Sequence, residues 1–179
     1  MALDEYLFGK VASFFKQRNL KNNEARDRKV TLDEHRQRFT ILARAITGHS
    51  IELFAAEREG GYKGNSFFLP NSFAQFPTFE QNLSYYFFRI IYLSVQKNLK
   101  LNWFQSDDIQ NDTAQQIAIQ NAPHVLQGIE EEFPFAIQIH DSCKAFYQDN
   151  LLPKKAVDYS WLYGKVMKDN LQNGASQNL

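Results

Sequence analysis

The side chains best suited to chemistry lie in the C-terminal half of the chain: His124, Glu131, His140 and Asp141. Imidazole and carboxylate groups ligate metal ions, and the same groups transfer protons in hydrolases. Helical metal sites commonly use Glu-x-x-His or His-x-x-x-His spacing, and these four residues match neither pattern. A small metal-dependent hydrolase or oxidoreductase built on this cluster is therefore the alternative function, and our expectation is a chain without metal or cofactor.

The one cysteine, Cys143, follows His140 by three residues and raises the possibility of a nucleophile pair. Such a pair needs an oxyanion donor and a third orienting group, and the sequence identifies neither. Cys143 instead continues an apolar helical stripe with Ala136, Ile139 and Phe146, which predicts that the thiol packs as a small apolar group. We expect a protein that is not an enzyme. A lone cysteine cannot close an intramolecular disulfide, so we expect the cytoplasm.

A glycine-rich stretch, EREGGYKGNSFFLP at residues 57–70, has glycines spaced as in a phosphate loop. A phosphate loop ends in Gly-Lys-Ser or Gly-Lys-Thr, so that amides, an ammonium and a hydroxyl converge on phosphate. Here Lys63 precedes Gly64, and Asn65 separates Gly64 from Ser66. The glycines therefore indicate turns, and β-prone residues on both sides predict a β-hairpin over about residues 50–69.

Helix signals begin near the N-terminus, where residues 4–18 are predicted as a first helix. A second helix begins at a capping box formed by Thr31 and Glu34, and Gly48 is its predicted left-handed stop. His35 lies on the apolar stripe of this second helix. No second ligand stands three or four residues away, so we interpret His35 as a core residue.

The longest apolar surface belongs to a helix that Thr78 caps and that runs to about Lys100, which predicts the central helix of the domain. Two further helices are predicted to meet at Pro123, and another restarts at Pro134. A last helix is predicted over Lys155–Asp169. The resulting fold class is mainly α, a multi-helix bundle-like domain with one small β-hairpin.

Composition limits the number of domains and the classes of partner. At 179 residues, with 44% hydrophobic residues and 16 Phe, the chain can bury the core of a single domain, which we place at residues 1–170. Residues 171–179 are predicted to be a flexible tail or the start of a linker. The formal net charge is +0, so the field that attracts nucleic acid is missing. The most apolar run, LSYYFFRIIYLSV, is shorter than the roughly 20 residues that span a bilayer.

Four basic residues are the candidates for contact with a protein partner. Arg26 and Arg28 lie in a polar connector without aromatic residues, which favours a solvated loop over a nucleic-acid surface. Arg58 and Lys63 lie on the predicted hairpin, and exposed loops held by a rigid scaffold often carry recognition. The oligomeric state is not encoded in any of these patterns.

The order of the elements resembles that of a known family. A capped helix VTLDEHRQRFTILARAITG, the strand region EREGGYKGNSFFLP, an aromatic helix from TFEQNLSYYFFRIIY and then IEEEFPFAIQIHDSCKAFYQD are similar to the N-terminal region of the nitric oxide reductase activation proteins, NorD/CbbO type. The resemblance covers about residues 30–150. It implies an accessory protein that works with a MoxR-type AAA ATPase to activate or mature a metalloenzyme such as nitric oxide reductase.

Members of that family carry a C-terminal von Willebrand factor A domain whose Asp-x-Ser-x-Ser motif binds a divalent metal. The nearest match in this chain is Asp158-Tyr-Ser160-Trp-Leu162, which has no second serine. The family's metal-dependent activity therefore does not carry over to these residues. What the resemblance implies here is an interaction domain.

Overall fold

The computed structural model describes residues 28–103, 109–150 and 158–168. These residues are mostly helical, with a few short strands, so the mainly α prediction is confirmed, although the fold is not a purely helical bundle. In chain order the elements are β1 (Val30–Thr31), α1 (Leu32–Thr47), β2 (Glu52–Ala56), β3 (Gly61–Lys63), β4 (Ser66–Pro70), β5 (Ser72–Phe73), α2 (Phe79–Asn98), α3 (Asn111–Glu132), α4 (Pro134–Asn150) and α5 (Ser160–Tyr163).

Helix α2 is the centre of the domain, as its broad apolar surface predicts. Helices α1, α3 and α4 all pack against it, and its residues 88–96 are buried without interruption. The Thr78 hydroxyl accepts a hydrogen bond from the Gln81 amide at 3.2 Å, and the Gln81 side chain accepts one from the Thr78 amide at 3.2 Å. This reciprocal cap fixes where the helix begins. Across the described ranges, no helix combines the length and apolar character that crossing a membrane requires.

Helix α1 begins where it is predicted to begin, but a different group caps it. Thr31 makes no side-chain hydrogen bond at the helix start. It belongs to β1, which pairs antiparallel with β5, Thr31 facing Ser72. This pairing brings the Asn71 carbonyl 2.9 Å from the Leu32 amide, so a backbone acceptor replaces the predicted Thr31 hydroxyl. Gly48 ends the helix in the left-handed conformation, with φ 68°, as predicted.

The region predicted as one hairpin is a three-stranded sheet in the order β2-β4-β3. Strands β3 and β4 form the hairpin, joined at Gly64 and Asn65, and β2 pairs parallel with β4. The prediction paired the wrong strands because the chain reverses twice between β2 and β4, which leaves these two strands running in the same direction. Leu53, Phe67 and Leu69 point into the core.

The outer edge of β2 is covered by two arginines of α1. Arg36 donates to the Leu53 carbonyl, and Arg44 Nε donates to the Ile51 carbonyl at 2.9 Å. Alternation along β2 directs these carbonyls away from β4, since Glu52 bonds toward it. The two arginines therefore satisfy the acceptors that an edge strand leaves open.

Helix α3 runs through Pro123 without a break, so the two helices predicted to meet there are one. The acceptor that Pro123 leaves without its usual partner is the carbonyl of Ile119. Pro123 and Ile119 are both exposed, and a carbonyl on the solvent side of a helix can bond to water instead. The prediction of a restart at Pro134, where α4 begins, is confirmed.

The last predicted helix, Lys155–Asp169, is wrong over most of the residues described there. Only Ser160–Tyr163 is helical, and Gly164, with φ 76°, ends it. Beyond Gly164 the backbone bonds to distant segments: the Lys165 amide donates to the Gly60 carbonyl at 2.9 Å, and the Val166 amide to the Ala114 carbonyl at 3.2 Å. These long-range bonds replace the local ones that a helix would make.

Three predictions fall outside the described residues. These are the first helix at residues 4–18, the candidate contact Arg26, and the tail at residues 171–179.

Candidate functional site

One concave surface of the described residues is an open cleft of about 680 Å³. It lies where the loop after β2, the β4–β5 region, α2, α4 and the start of α5 meet. Its lining residues are Arg58, Glu59, Pro70, Ser72, Phe73, Gln75, Phe76, Tyr85, Phe146, Tyr147, Asp158, Ser160 and Trp161. Aromatic rings form much of this wall, and charged side chains come from two loops. We call this feature the aromatic cleft.

The rings of the aromatic cleft pack on one another. Phe73 stacks on Tyr85 with centroids 3.7 Å apart, and Trp161 lies 5.8 Å from Tyr85. Tyr147 lies 4.9 Å from Trp161 on the α4 side. The Tyr85 hydroxyl donates to the Trp161 carbonyl at 2.9 Å, which ties α5 to the central helix. Because each ring is held by others, the cleft is preformed rather than assembled by a ligand.

The polar part of the aromatic cleft carries both signs of charge. The Arg58 side chain is 70% exposed, and its Nε lies 3.5 Å from Glu59 Oε2. Asp158 is exposed, and its Oδ1 accepts the Ser160 amide at 2.8 Å, so this carboxylate is engaged at the start of α5. The Arg58 guanidinium is therefore the cation that this surface presents to solvent.

Behind Glu59 lies a second, fully buried guanidinium, that of Arg89 in α2. Its Nη1 donates to the Leu162 carbonyl at 2.8 Å and its Nη2 to the Glu59 carbonyl at 2.9 Å. Burial lowers the pKa of Arg89, while the nearby Tyr85, Tyr92 and Glu59 act in the opposite direction. Arginine keeps its proton in proteins, so Arg89 is a buried cation that joins α2 to both loops behind the cleft.

The Glu59 carboxylate balances this buried charge. Its side chain is 4% exposed, and Oε1 accepts a hydrogen bond from Gln115 Nε2 at 2.7 Å. The carboxylate thus forms an ion pair with Arg58 and lies near Arg89, whose pKa it raises. Its position explains why a glutamate can be buried beside an apolar cleft.

The residues of the alternative metal cluster are placed differently from one another. His124 and Glu131 are exposed on α3, His140 is buried on α4, and Asp141 is exposed beside it. Of these four residues, only His140 and Asp141 are hydrogen-bonded to each other, with Nδ1 and Oδ1 2.8 Å apart. Within the described ranges, no group of three or more His, Cys, Asp or Glu side chains is arranged to hold a metal ion.

The possible nucleophile pair is also occupied by other contacts. His140 Nε2 lies 3.0 Å from the Tyr163 hydroxyl, which leaves both ring nitrogens with partners. Burial lowers the pKa of His140 and raises the pKa of the Cys143 thiol to about 12. Such a thiol is neutral near pH 7, whereas a nucleophile must be a thiolate. Cys143 belongs to the hydrophobic core, as its stripe predicts.

The basic candidates for partner contact separate in space. Arg58 lines the aromatic cleft, whereas Lys63 is exposed on β3 and does not line it. Arg28 is exposed, and its carbonyl accepts Asn82 Nδ2 at 2.9 Å. Of these three residues, only Arg58 lines the aromatic cleft.

Sequence reasoning missed the aromatic members of the cleft. Phe73, Tyr85, Tyr147 and Trp161 come from distant parts of the chain, and each reads as an ordinary core residue in its own segment. The available signal is the dense aromatic content of residues 146–163. It indicates that aromatic rings cluster there, but not that they line a cleft.

Comparisons with protein-family models, with curated proteins and with solved structures found no match to this chain. The likeness to the NorD/CbbO-type activation proteins therefore rests on the sequence features that suggested it.

Proposed function

We propose that this chain is a non-catalytic protein-interaction domain that binds its partner through the aromatic cleft. Following the family resemblance, we further propose that it acts in the cytoplasm as an accessory of a MoxR-type AAA ATPase, in the activation or maturation of a nitric oxide reductase-like metalloenzyme. The observation that carries the interaction function is the preformed aromatic wall with Arg58 exposed at its rim.

The composition of the cleft supports a protein partner. Tyr, Trp, Phe and Arg are enriched at the centres of protein interfaces, where a few of them supply most of the binding energy. The cleft combines these types: Tyr85, Trp161, Phe73 and Arg58. Aromatic side chains with two rotatable bonds also lose little entropy when a partner binds.

The state of the reactive groups supports the non-catalytic part of the proposal. His140 is held between Asp141 and Tyr163, and Cys143 is a buried neutral thiol. Neither lines the aromatic cleft, so the surface best shaped to bind is separate from the groups best suited to react.

The test is co-purification of the full chain from its own cells, with ATP present and with quantitative mass spectrometry. We expect a MoxR-type ATPase to be enriched at least tenfold over a tag-only control, together with a metalloenzyme subunit. A Tyr147→Ser variant, which removes a half-exposed ring from the cleft, should lose this enrichment while its circular dichroism stays unchanged. Absence of any ATPase from the wild-type sample would refute the accessory role.

A further inference from the structure

We infer that the aromatic cleft takes an apolar side chain from a segment of the partner protein, and that Arg58 pairs with an Asp or Glu carboxylate beside that side chain. This inference rests on the proposed function, which gives the cleft a protein partner. It adds the chemistry of the segment that the partner must present.

The first argument is the bonding of Arg58. Its only ion pair with the described residues joins Nε to Glu59 Oε2 at 3.5 Å, and its side chain is 70% exposed. The two terminal nitrogens, which form the planar fork of the guanidinium, have no hydrogen bond or ion pair within that part of the chain. This fork matches a carboxylate in a bidentate geometry, the strongest type of charged hydrogen bond at an interface.

The second argument is the charge balance around the cleft. The Glu59 carboxylate lies near the buried Arg89, whose pKa it raises, and it accepts a hydrogen bond from Gln115. Asp158 accepts the Ser160 amide. Both carboxylates of the lining thus accept hydrogen bonds within the fold, whereas the terminal nitrogens of the exposed Arg58 make none with the described residues and are left for a ligand to complement. A basic partner segment would meet repulsion at this position.

The third argument is the shape and surface of the cleft. Its volume of about 680 Å³ falls inside the range of roughly 300–1,000 Å³ that ligand sites occupy, so a large side chain fits with room for neighbouring backbone. The walls are rings that already pack on one another. An apolar anchor gains burial there without reordering the protein, and a cation at the rim then fixes the orientation of the segment.

The experiment is selection of binders from a random peptide library displayed on phage, carried out on the full chain. We expect selected peptides to share an aromatic or long aliphatic residue next to Asp or Glu. Selection on Arg58→Glu should keep the apolar residue but replace the acidic one by Lys or Arg. Selection on Lys100→Glu, an equal charge reversal on an exposed side chain outside the cleft, should return the wild-type pattern.

The best wild-type peptide is then measured in solution by fluorescence anisotropy. We expect Arg58→Glu to weaken its binding at least tenfold, since a hydrogen bond to a charged group contributes about 1.5–3 kcal/mol and 1.4 kcal/mol is a factor of ten. Lys100→Glu should change it less than twofold. Circular dichroism and thermal melting of each variant confirm that the fold is retained.

Three outcomes overturn the inference: no shared pattern among the peptides, a pattern without acidic residues, or a pattern that Arg58→Glu leaves unchanged. None of these removes the proposed function if the ATPase co-purifies with the wild-type chain. Conversely, an acidic-apolar pattern without co-purifying ATPase would retain the chemistry of the cleft and reject the accessory role.

Discussion

Two arginines contact Glu59, one at its backbone carbonyl and one at its carboxylate, and their surroundings differ in almost every respect. Arg89 is fully buried in the central helix and donates to two backbone carbonyls from different loops. Arg58 is mostly exposed and reaches Glu59 only through Nε at 3.5 Å. The buried guanidinium holds segments of the fold together, whereas the exposed one makes a single long ion pair with the described residues.

The difference shows where a charge must lie to serve stability and where it must lie to serve recognition. Removing one member of a buried charged network leaves its partners without compensation, which is far costlier than removing an exposed ion pair. An exposed arginine at the rim of an apolar cleft gains its strongest interactions only when a partner excludes water from it. The following predictions test this contrast, from the largest expected effect to the smallest.

Replacing Arg89 should give the largest loss of stability. In Arg89→Met, the carbonyls of Leu162 and Glu59 lose their donor inside the protein, and the buried Glu59 carboxylate loses its nearby cation. We expect the free energy of unfolding to fall by roughly 3–5 kcal/mol, measured by urea denaturation with circular dichroism. A loss below about 1 kcal/mol would show that the two arginines are energetically alike.

Gly164→Ala should be the next most damaging change, because it disturbs the same buried group from the other side. A methyl at Gly164 would lie 2.6 Å from Arg89 Nη2 and 2.8 Å from the Gly60 carbonyl, and the backbone has φ 76°. We expect the free energy of unfolding to fall by about 3 kcal/mol.

Gly48→Ala is the matched control for that change. Gly48 also has positive φ, 68°, but nothing lies within 4 Å of the added methyl. The left-handed backbone alone should therefore lower the free energy of unfolding by about 1 kcal/mol. Equal losses in the two variants would contradict the claim that crowding against Arg89 decides the effect.

The buried His140 should make the stability of the fold sensitive to acid. Burial lowers its pKa below the unfolded value of 6.5, so below pH 6.5 the unfolded chain takes up a proton that the folded chain resists. Stability contributed by neutral His140 is complete above pH 6.5 and declines as the pH falls toward the lowered pKa. The groups that face the ring act oppositely: Asp141 raises its pKa and Lys144 lowers it.

We expect His140→Gln to flatten the fall in unfolding free energy between about pH 7.5 and 5.5. Asp141→Asn should extend the fall to lower pH, because it removes the carboxylate that favours the imidazolium. Urea melts at several pH values measure both effects. An unchanged pH profile in His140→Gln would assign the acid sensitivity to other groups.

Arg58→Met should have the smallest effect on stability. The side chain is exposed and its one ion pair is long, so we expect the free energy of unfolding to change by less than about 0.5 kcal/mol. A loss comparable to that of Arg89→Met would mean that Arg58 is a structural residue and would remove the basis of the contrast.

Local signals predicted several helix ends correctly. Thr78, Gly48 and Pro134 mark helix ends through capping and backbone geometry, which depend on neighbouring residues alone. The failures have a different origin. The order of strands in the sheet and the extended backbone after Gly164 depend on hydrogen bonds between residues far apart in the chain, and no local pattern encodes those partners.

The candidate site was less accessible to sequence reasoning than the fold. Arg58 is predicted as a candidate contact residue because it lies in an exposed glycine-rich region, but Phe73, Tyr147 and Trp161 have no spacing in common. Their shared role exists only after α4 and α5 pack beside β5. Likewise Arg89 stands in an apolar run without any sign of the loop carbonyls that accept its hydrogen bonds.

The arginines that cover the edge of β2 also restrict how other proteins can bind. Many interaction domains recognise an extended peptide by letting it join a sheet as an extra strand, which reads backbone rather than side chains. Here Arg36 and Arg44 already occupy the outward carbonyls of Leu53 and Ile51. A partner peptide therefore cannot use these carbonyls to pair with β2 through its backbone. Binding at this edge would have to depend on the side chains of the partner.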